Sequence, residues 1–227
     1  MGSIKDNLGK LQKRINDACL VASRKPSSVK LLAVSKTKPS GMVQEAIEAG
    51  QSDFGENYLQ DAMAKISEVP EATWHYIGAI QSNKTRDIAA NFDWVHTLAS
   101  EKIARRLHSQ RGESAPPLNV LLQVNLNNEP GKSGVDEHVL PSLIESTLQF
   151  DHLILRGLMA IPQKSDDVIL QRDNFQKLAE LQVTIQQQYR LADFCELSMG
   201  MSADLEAAIS AGATWIRIGT AIFGERV

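Results

Sequence analysis

Eight short apolar runs alternate with helix-patterned segments from Lys30 onward, and few folds accommodate that alternation. The runs are KLLAVS (30–35), DFG (53–55), HYIGA (75–79), WVHTL (94–98), NVLLQVNL (119–126), LILRGLMAI (153–161), FCELSM (194–199) and WIRIG (215–219). Helices are expected between them, near 40–49, 56–68, 82–90, 100–111, 136–149, 167–190 and 203–211. A further amphipathic helix is expected at 3–23, where Ile4, Leu8, Leu11, Ile15, Ala18, Cys19 and Ala22 recur at helical spacing. Strands apolar on both faces, each followed by a helix, imply a parallel sheet covered on both sides. Eight such units in 227 residues have the size and count of an α/β (β/α)8 TIM barrel. An open doubly wound sheet is the alternative, but no strand-to-helix turn carries G-x-G-x-x-G, which counts against one common use of that fold. Residues 1–227 are therefore expected to form one barrel domain. Only Thr220–Val227 follow the last strand, so the helix at 3–23 is expected to cover the slot beside strands one and eight.

Composition removes several classes. The chain is 43% hydrophobic and 22% charged, enough for one sizeable core without disulfides or metal. Lys and Arg total 24 against 27 Asp and Glu, and no run of like charges builds the basic face that duplex DNA requires. Cys19 and Cys195 read as two reduced thiols of a cytosolic protein. The first residues, Met1–Asp6, show no apolar run of signal-peptide type and no stretch reaches membrane-spanning length, so neither a signal peptide nor a membrane span is expected. A cytoplasmic monomer that binds neither nucleic acid nor membrane is expected.

In a barrel the chemistry gathers at the C-terminal ends of the strands. Strand one ends in Ser35-Lys36-Thr37-Lys38-Pro39, and alternation puts Lys36 on the face of Leu32 and Val34. Lys36 either sends its charge out to solvent or, desolvated in the barrel mouth, serves as an amine nucleophile toward aldehydes. Arg217, between Ile216 and Ile218, must have a partner, which is either a carboxylate such as Glu196 or an acceptor on a ligand. Strand seven ends in Ser198-Met-Gly-Met-Ser202 and strand eight in Gly219-Thr220, where barrels often hold phosphate with backbone N–H groups. Ser202 also reads as a plain helix N-cap. An amine, a donor for a ring nitrogen and a phosphate cradle at one mouth are what pyridoxal phosphate requires.

LLAVSKTKP (31–39), FGENYLQ (54–60), WHYIGAIQSNK (74–84) and SMGMSADLEAAISAGATWIRIGTAIFG (198–224) resemble the signatures of the pyridoxal phosphate homeostasis protein family, also called the YggS or PROSC family. That family is similar to the barrel domain of alanine racemase, a fold-type III pyridoxal phosphate enzyme, without its second domain. The resemblance implies that Lys36 is the Schiff-base lysine, that Arg217 faces the ring nitrogen, and that Ser198, Ser202, Gly219 and Thr220 hold the phosphate. It also implies that Asn57 lies against the cofactor and that Met199 forms a cofactor wall. The implied function is non-enzymatic: binding of pyridoxal 5′-phosphate in intracellular vitamin B6 homeostasis, with delivery to apo-enzymes as a wider role. A minimal amino-acid racemase or lyase is the competing reading. It needs an acid or base on the opposite face of the substrate, and the eight strands are used up by residue 219.

Two further features weigh less. Gly131-Lys132-Ser133 resembles the end of a P-loop, but Leu126 stands where the leading glycine belongs. The segment Asn127–Gly134 reads instead as the loop after strand five, with Lys132 available to an anion. The five histidines show no metal-ligand spacing, and His75 and His96 are expected as hydrogen-bonded core or mouth residues.

Overall fold

The computed structural model describes residues 2–127, 129, 131–162 and 167–225. Its strands are β1 (Lys30–Val34), β2 (Asp53–Glu56), β3 (Thr73–Tyr76), β4 (Trp94–Leu98), β5 (Leu118–Gln123), β6 (Leu153–Met159), β7 (Glu196–Ser198) and β8 (Trp215–Ile218). They pair in parallel, each with the next, and β8 closes on β1 from Lys30↔Trp215 to Ala33↔Ile218. The barrel expected from the alternation is the fold, and the open sheet is excluded. The helices are α1 (Ile4–Val21), α2 (Ser40–Glu48), α3 (Leu59–Glu68), α4 (Thr85–Asn91), α5 (Glu101–Gln110), α6 (Leu140–Thr147), α7 (Val168–Tyr189), α8 (Leu205–Ser210) and α9 (Thr220–Phe223).

Side-chain alternation separates two interiors. Leu31, Ala33, Phe54, Trp74, Tyr76 and Val95 point outward into an apolar layer shared with the helices. The opposite face lines the barrel, where Leu32 lies against the space beside Gly55 and the lumen also holds His75, His96, Ser198 and Arg217. A lumen this polar must be largely hydrogen-bonded, since each unpaired buried group costs about 1–3 kcal/mol, and Trp215 Nε1 is an exception.

Helix α1 starts at Ser3, whose Oγ accepts from Asp6 N at 3.1 Å. Its buried face is Ile4, Leu8, Leu11, Ile15, Ala18 and Cys19, and it packs on α8, α9 and α2 over the β8–β1 seam. Burying its four large aliphatic side chains contributes about 6–12 kcal/mol before entropy is counted. Polar contacts set its position: Asn7 Nδ2 donates to Ile222 O at 2.9 Å and Arg14 Nη1 to Ser202 O at 2.9 Å. The helix expected to cover the slot does so, together with the short α9.

Strand edges differ where backbone leaves the ladder. The third apolar run extends to residue 79, yet β3 ends at Tyr76, because a Cβ at Gly78 would stand 2.0 Å from Asn57 O as the chain turns into the mouth. The β5–β6 register shifts between Val120 and Leu121, near Gly157. Gly157 has φ +155°, and a Cβ there would lie 1.9 Å from Glu196 O, so only glycine serves.

Candidate functional site

Val34, Lys36, Asn57, Met201, Arg217 and Thr220 are among the residues lining a cavity of about 380 Å³ at the C-terminal mouth of the barrel. That volume is in the range of small-molecule sites. Lys36, Lys38 and Arg217 all border it, and among the described residues its wall contains no carboxylate, imidazole, phenol or thiol.

The local chain explains how Lys36 reaches the cavity. Just past β1, Lys38 N donates to Ser35 O at 3.0 Å and closes a turn. Thr37 occupies the left-handed region of that turn, at φ +63°. This is a strained place for a β-branched residue, and such strain collects at functional sites. The strand end is pinned from behind by a buried ion pair. Lys65 Nζ donates to Glu56 Oε1 at 2.6 Å and to Ser35 O at 2.7 Å, and Ser35 Oγ donates to the same carboxylate oxygen at 2.6 Å. Their side chains are 5% and 0% exposed. Burial pushes the Glu56 carboxyl above its ordinary value despite Lys65. Lys38, by contrast, is tied by its Nζ to Glu225 O at 2.6 Å.

Arg217 sits at the floor of the cavity and, among the described residues, touches no carboxylate. Its Nη1 donates to Ser198 Oγ at 2.8 Å and its Nη2 to Ala160 O at 2.9 Å. Glu196, the suggested ion-pair partner, is instead held by Lys30 at 2.7 Å and by Thr214 at 2.6 Å. Burial pushes the guanidinium pKa down to about 10, Asp204 opposing. The ion pair with Glu196 suggested for this arginine is therefore not formed.

Two residues expected at the phosphate or at the cofactor wall lie off the cavity. Ser198 is level with Trp215, one layer beneath Arg217, and its hydroxyl is engaged by Arg217 and His96. It is fully buried and does not line the cavity. Met199, its neighbour, points the other way into the apolar core, and Met159 and Met201 supply the thioethers on the cavity wall. Ser202 lines the cavity but is not the N-cap of α8. That place belongs to Asp204, whose Oδ1 accepts from Met201 N at 2.6 Å. This loop starts at Gly200, where φ is +90° and a Cβ would lie 2.5 Å from Ala208 Cβ.

Gly219 and Thr220 border the cavity as expected. The Ile222 and Phe223 N–H groups both go to Gly219 O, so those of Thr220 and Ala221 have no acceptor within their own helical turn. Asn57 lines the cavity from the β2 side, and its Oδ1 is buried with no hydrogen-bond partner. Asn57 and Ile77 also border an adjoining cavity of about 290 Å³ that reaches Lys132. Lys132 pairs with Glu129 at 2.5 Å.

Composition and motif alone did not point to Glu56, Lys65, Lys38 or Met201. Lys65 carried a signal, because it shares the apolar face of α3 with Leu59 and Ala62. His75 and His96 are fully buried and hydrogen-bonded, as expected. Folding brings His108, Asp151 and His152 within ligand distance of one another, outside the cavity, although the histidines are 44 residues apart.

Three comparisons bear on this arrangement. The family model described as alanine racemase, N-terminal domain, matches residues 3–227. A Pseudomonas aeruginosa protein named pyridoxal phosphate homeostasis protein is 51% identical, covering 100% of this chain and 97% of the relative. PipY of Synechococcus elongatus, solved with PLP bound, superposes with a TM-score of 0.86 at 36% identity, covering 98% and 100% of the two chains. Alanine racemase of Bacillus anthracis shares the fold alone, at a TM-score of 0.70, 16% identity, and 98% and 55% coverage. On this identity and coverage, the chain belongs to the pyridoxal phosphate homeostasis protein family, whose barrel is that of the alanine racemase N-terminal domain.

Proposed function

We propose that this protein binds pyridoxal 5′-phosphate in the mouth cavity and holds it reversibly on Lys36, as a carrier in vitamin B6 homeostasis and not as an enzyme. The observation that carries the reading is the cavity itself: three cationic side chains and a buried, unpartnered Asn57 Oδ1 border one space of about 380 Å³. A phosphate ester with a polar aromatic ring suits that set. Pyridoxal phosphate supplies an aldehyde, which condenses with a lysine amine with loss of water and is released by the reverse reaction.

The protein's own groups divide the work. The Lys65–Glu56–Ser35 cluster fixes the end of β1 and so presents Lys36. Thr220 and Ala221 N–H groups, with the Ser202 hydroxyl, serve as phosphate donors, and charge-assisted bonds of this kind contribute about 1.5–3 kcal/mol each. Arg217 offers its remaining N–H groups to the ring nitrogen. Being a donor that keeps its own proton, it leaves the ring a poor electron sink. The absence of a carboxylate, imidazole, phenol or thiol from the described cavity wall likewise favours a carrier over a racemase, which needs a base on the far face.

The same reading places residues 1–227 in one functional barrel, working as a cytoplasmic monomer that passes the cofactor to apo-enzymes. Among the described residues no helix is long and apolar enough to cross a membrane. Borohydride reduction of the loaded protein followed by peptide mapping should put the pyridoxyl group on Lys36. Label confined to Lys38 or Lys132 would overturn the assignment.

A further inference from the structure

A continuous hydrogen-bonded line crosses the barrel lumen from the site to the opposite end. Arg217 Nη1 meets Ser198 Oγ at 2.8 Å, and Ser198 Oγ meets His96 Nδ1 at 2.8 Å. His96 Nε2 meets His75 Nδ1 at 3.0 Å, and His75 Nε2 meets Asp53 Oδ1 at 3.1 Å. Ser198, His96 and His75 are fully buried, whereas Asp53, the first residue of β2, is 24% exposed at the base of the barrel. Trp94 stacks on His75 at 5.5 Å, and the edge of Trp215 approaches the same ring at 4.9 Å, walling the line off from water.

The chemistry of the two ends fixes the direction of every proton in between. A guanidinium only donates, so Ser198 Oγ accepts from Arg217, and its single hydrogen is free for His96 Nδ1. A carboxylate only accepts, so His75 carries its proton on Nε2 and presents a bare Nδ1. His96 must then donate from Nε2 and accept at Nδ1, which is what the serine requires. Both ends therefore give the same assignment, with each ring neutral and protonated at Nε2. The opposite direction needs an imidazolium and leaves the Ser198 hydrogen without an acceptor in the line. Burial, then His75, and last the charge of Arg217 hold His96 well below the ordinary imidazole value. Burial also lowers His75, although Asp53 opposes it. Asp53 is raised by burial, but the hydrogen bonds of His75 and Ser52 outweigh this and keep its net value low.

We propose that Asp53, His75 and His96 are positioning residues: they form a one-way hydrogen-bond relay that polarises Ser198, locks the Arg217 guanidinium in its orientation toward the cavity, and makes Asp53 its remote counter-charge. The inference deepens the cofactor reading and rests on it only for what Arg217 faces. Aligned bonds in a low-dielectric interior strengthen one another, so removing the far charge weakens the grip on the near one. The device also accounts for a buried arginine that, among the described residues, no carboxylate touches.

The decisive experiment begins on the cofactor-free protein. Side-chain ¹⁵N spectra should show His75 and His96 both as neutral Nε2–H tautomers, and Arg217 with separate, slowly exchanging Nη resonances. Asp53→Asn and His96→Leu should merge those resonances. After addition of pyridoxal phosphate, both variants should raise its dissociation constant about fivefold or more and shift its visible band. His96→Gln retains an acceptor for Ser198 and a donor for His75, and should restore both readouts. An Nδ1–H tautomer or an imidazolium at either ring in the wild-type protein would overturn the relay. So would Asp53→Asn and His96→Leu proteins that kept the Arg217 resonances and the cofactor spectrum of the wild type. Wild-type protein that bound no pyridoxal phosphate would instead refute the function proposed above, because the tautomers and the guanidinium are read without it.

Discussion

Replacing Lys65 with methionine tests how the protein presents Lys36. The ammonium is 5% exposed, and it donates to a carboxylate that is wholly buried and to the carbonyl of Ser35. Methionine fills most of the volume but strands Glu56, whose second oxygen already has no partner. Breaking a buried pair from one side costs about 3–5 kcal/mol, a large share of the 5–15 kcal/mol that holds a typical domain together. The pH dependence has a definite sign. The Glu56 carboxyl lies above its ordinary 4.5, chiefly through burial. A raised folded-state value means that folding gains from this group below 4.5 and loses the gain as pH climbs through the folded value. Without Lys65 that value rises further, so the deficit of Lys65→Met should be largest at about pH 8 and shrink toward about pH 5. Urea denaturation of the cofactor-free protein at both pH values, with Glu56→Gln and the double variant alongside, measures each quantity. The double variant should recover stability and lose the slope. A loss below about 1 kcal/mol, or a double variant as unstable and as pH-sensitive as the single one, would show that the pair does not brace the strand end.

Three further outcomes are expected. Pyridoxal should bind several orders of magnitude more weakly than its phosphate ester, since two or three charge-assisted bonds of about 1.5–3 kcal/mol are lost; comparable constants by absorbance titration would contradict the Thr220–Ala221 cradle. Arg217→Met should keep the cofactor-free stability within about 2 kcal/mol, because it strands no carboxylate and removes a desolvated charge, yet it should alter cofactor affinity and spectrum; a 3–5 kcal/mol loss in a melting curve would indicate a structural ion pair. Gly157→Ala should fail to accumulate as folded protein or should lose several kcal/mol, since a Cβ would stand 1.9 Å from Glu196 O at a φ of +155°, and normal urea midpoints would refute this.

The barrel was legible because parallel strands buried on both faces read as continuous apolar runs, and because Lys36 keeps the parity of Leu32 and Val34 past the end of β1. For Ser198 the sequence offered only its place at the end of strand seven. It could not tell depth: inward side chains of neighbouring strands stack in layers, and only the register Ser198↔Trp215 puts this serine below Arg217 and not beside the cavity. Partners of Arg217 were beyond the sequence for the same reason, since Ala160 lies 57 residues away and the competing carboxylate is claimed by Lys30. Asp204 displaced Ser202 as the cap because the Gly200 turn delays α8, a backbone detail that no spacing rule records.

The place of α1 has a consequence for synthesis on the ribosome. Its partners Ser202, Glu206 and Ile222 follow it by 188 to 215 residues. The helix therefore emerges with an aliphatic face that α2 can meet early but that α8 and α9 cannot cover until much later, and translation at about 5–20 residues per second leaves that part waiting roughly ten to forty seconds. Ring closure and the capture of α1 are then one late event, and until it occurs the wall bearing Ser202 has no fixed position. The ability to hold a ligand should accordingly appear abruptly, once β8 and α9 have emerged, and not grow strand by strand.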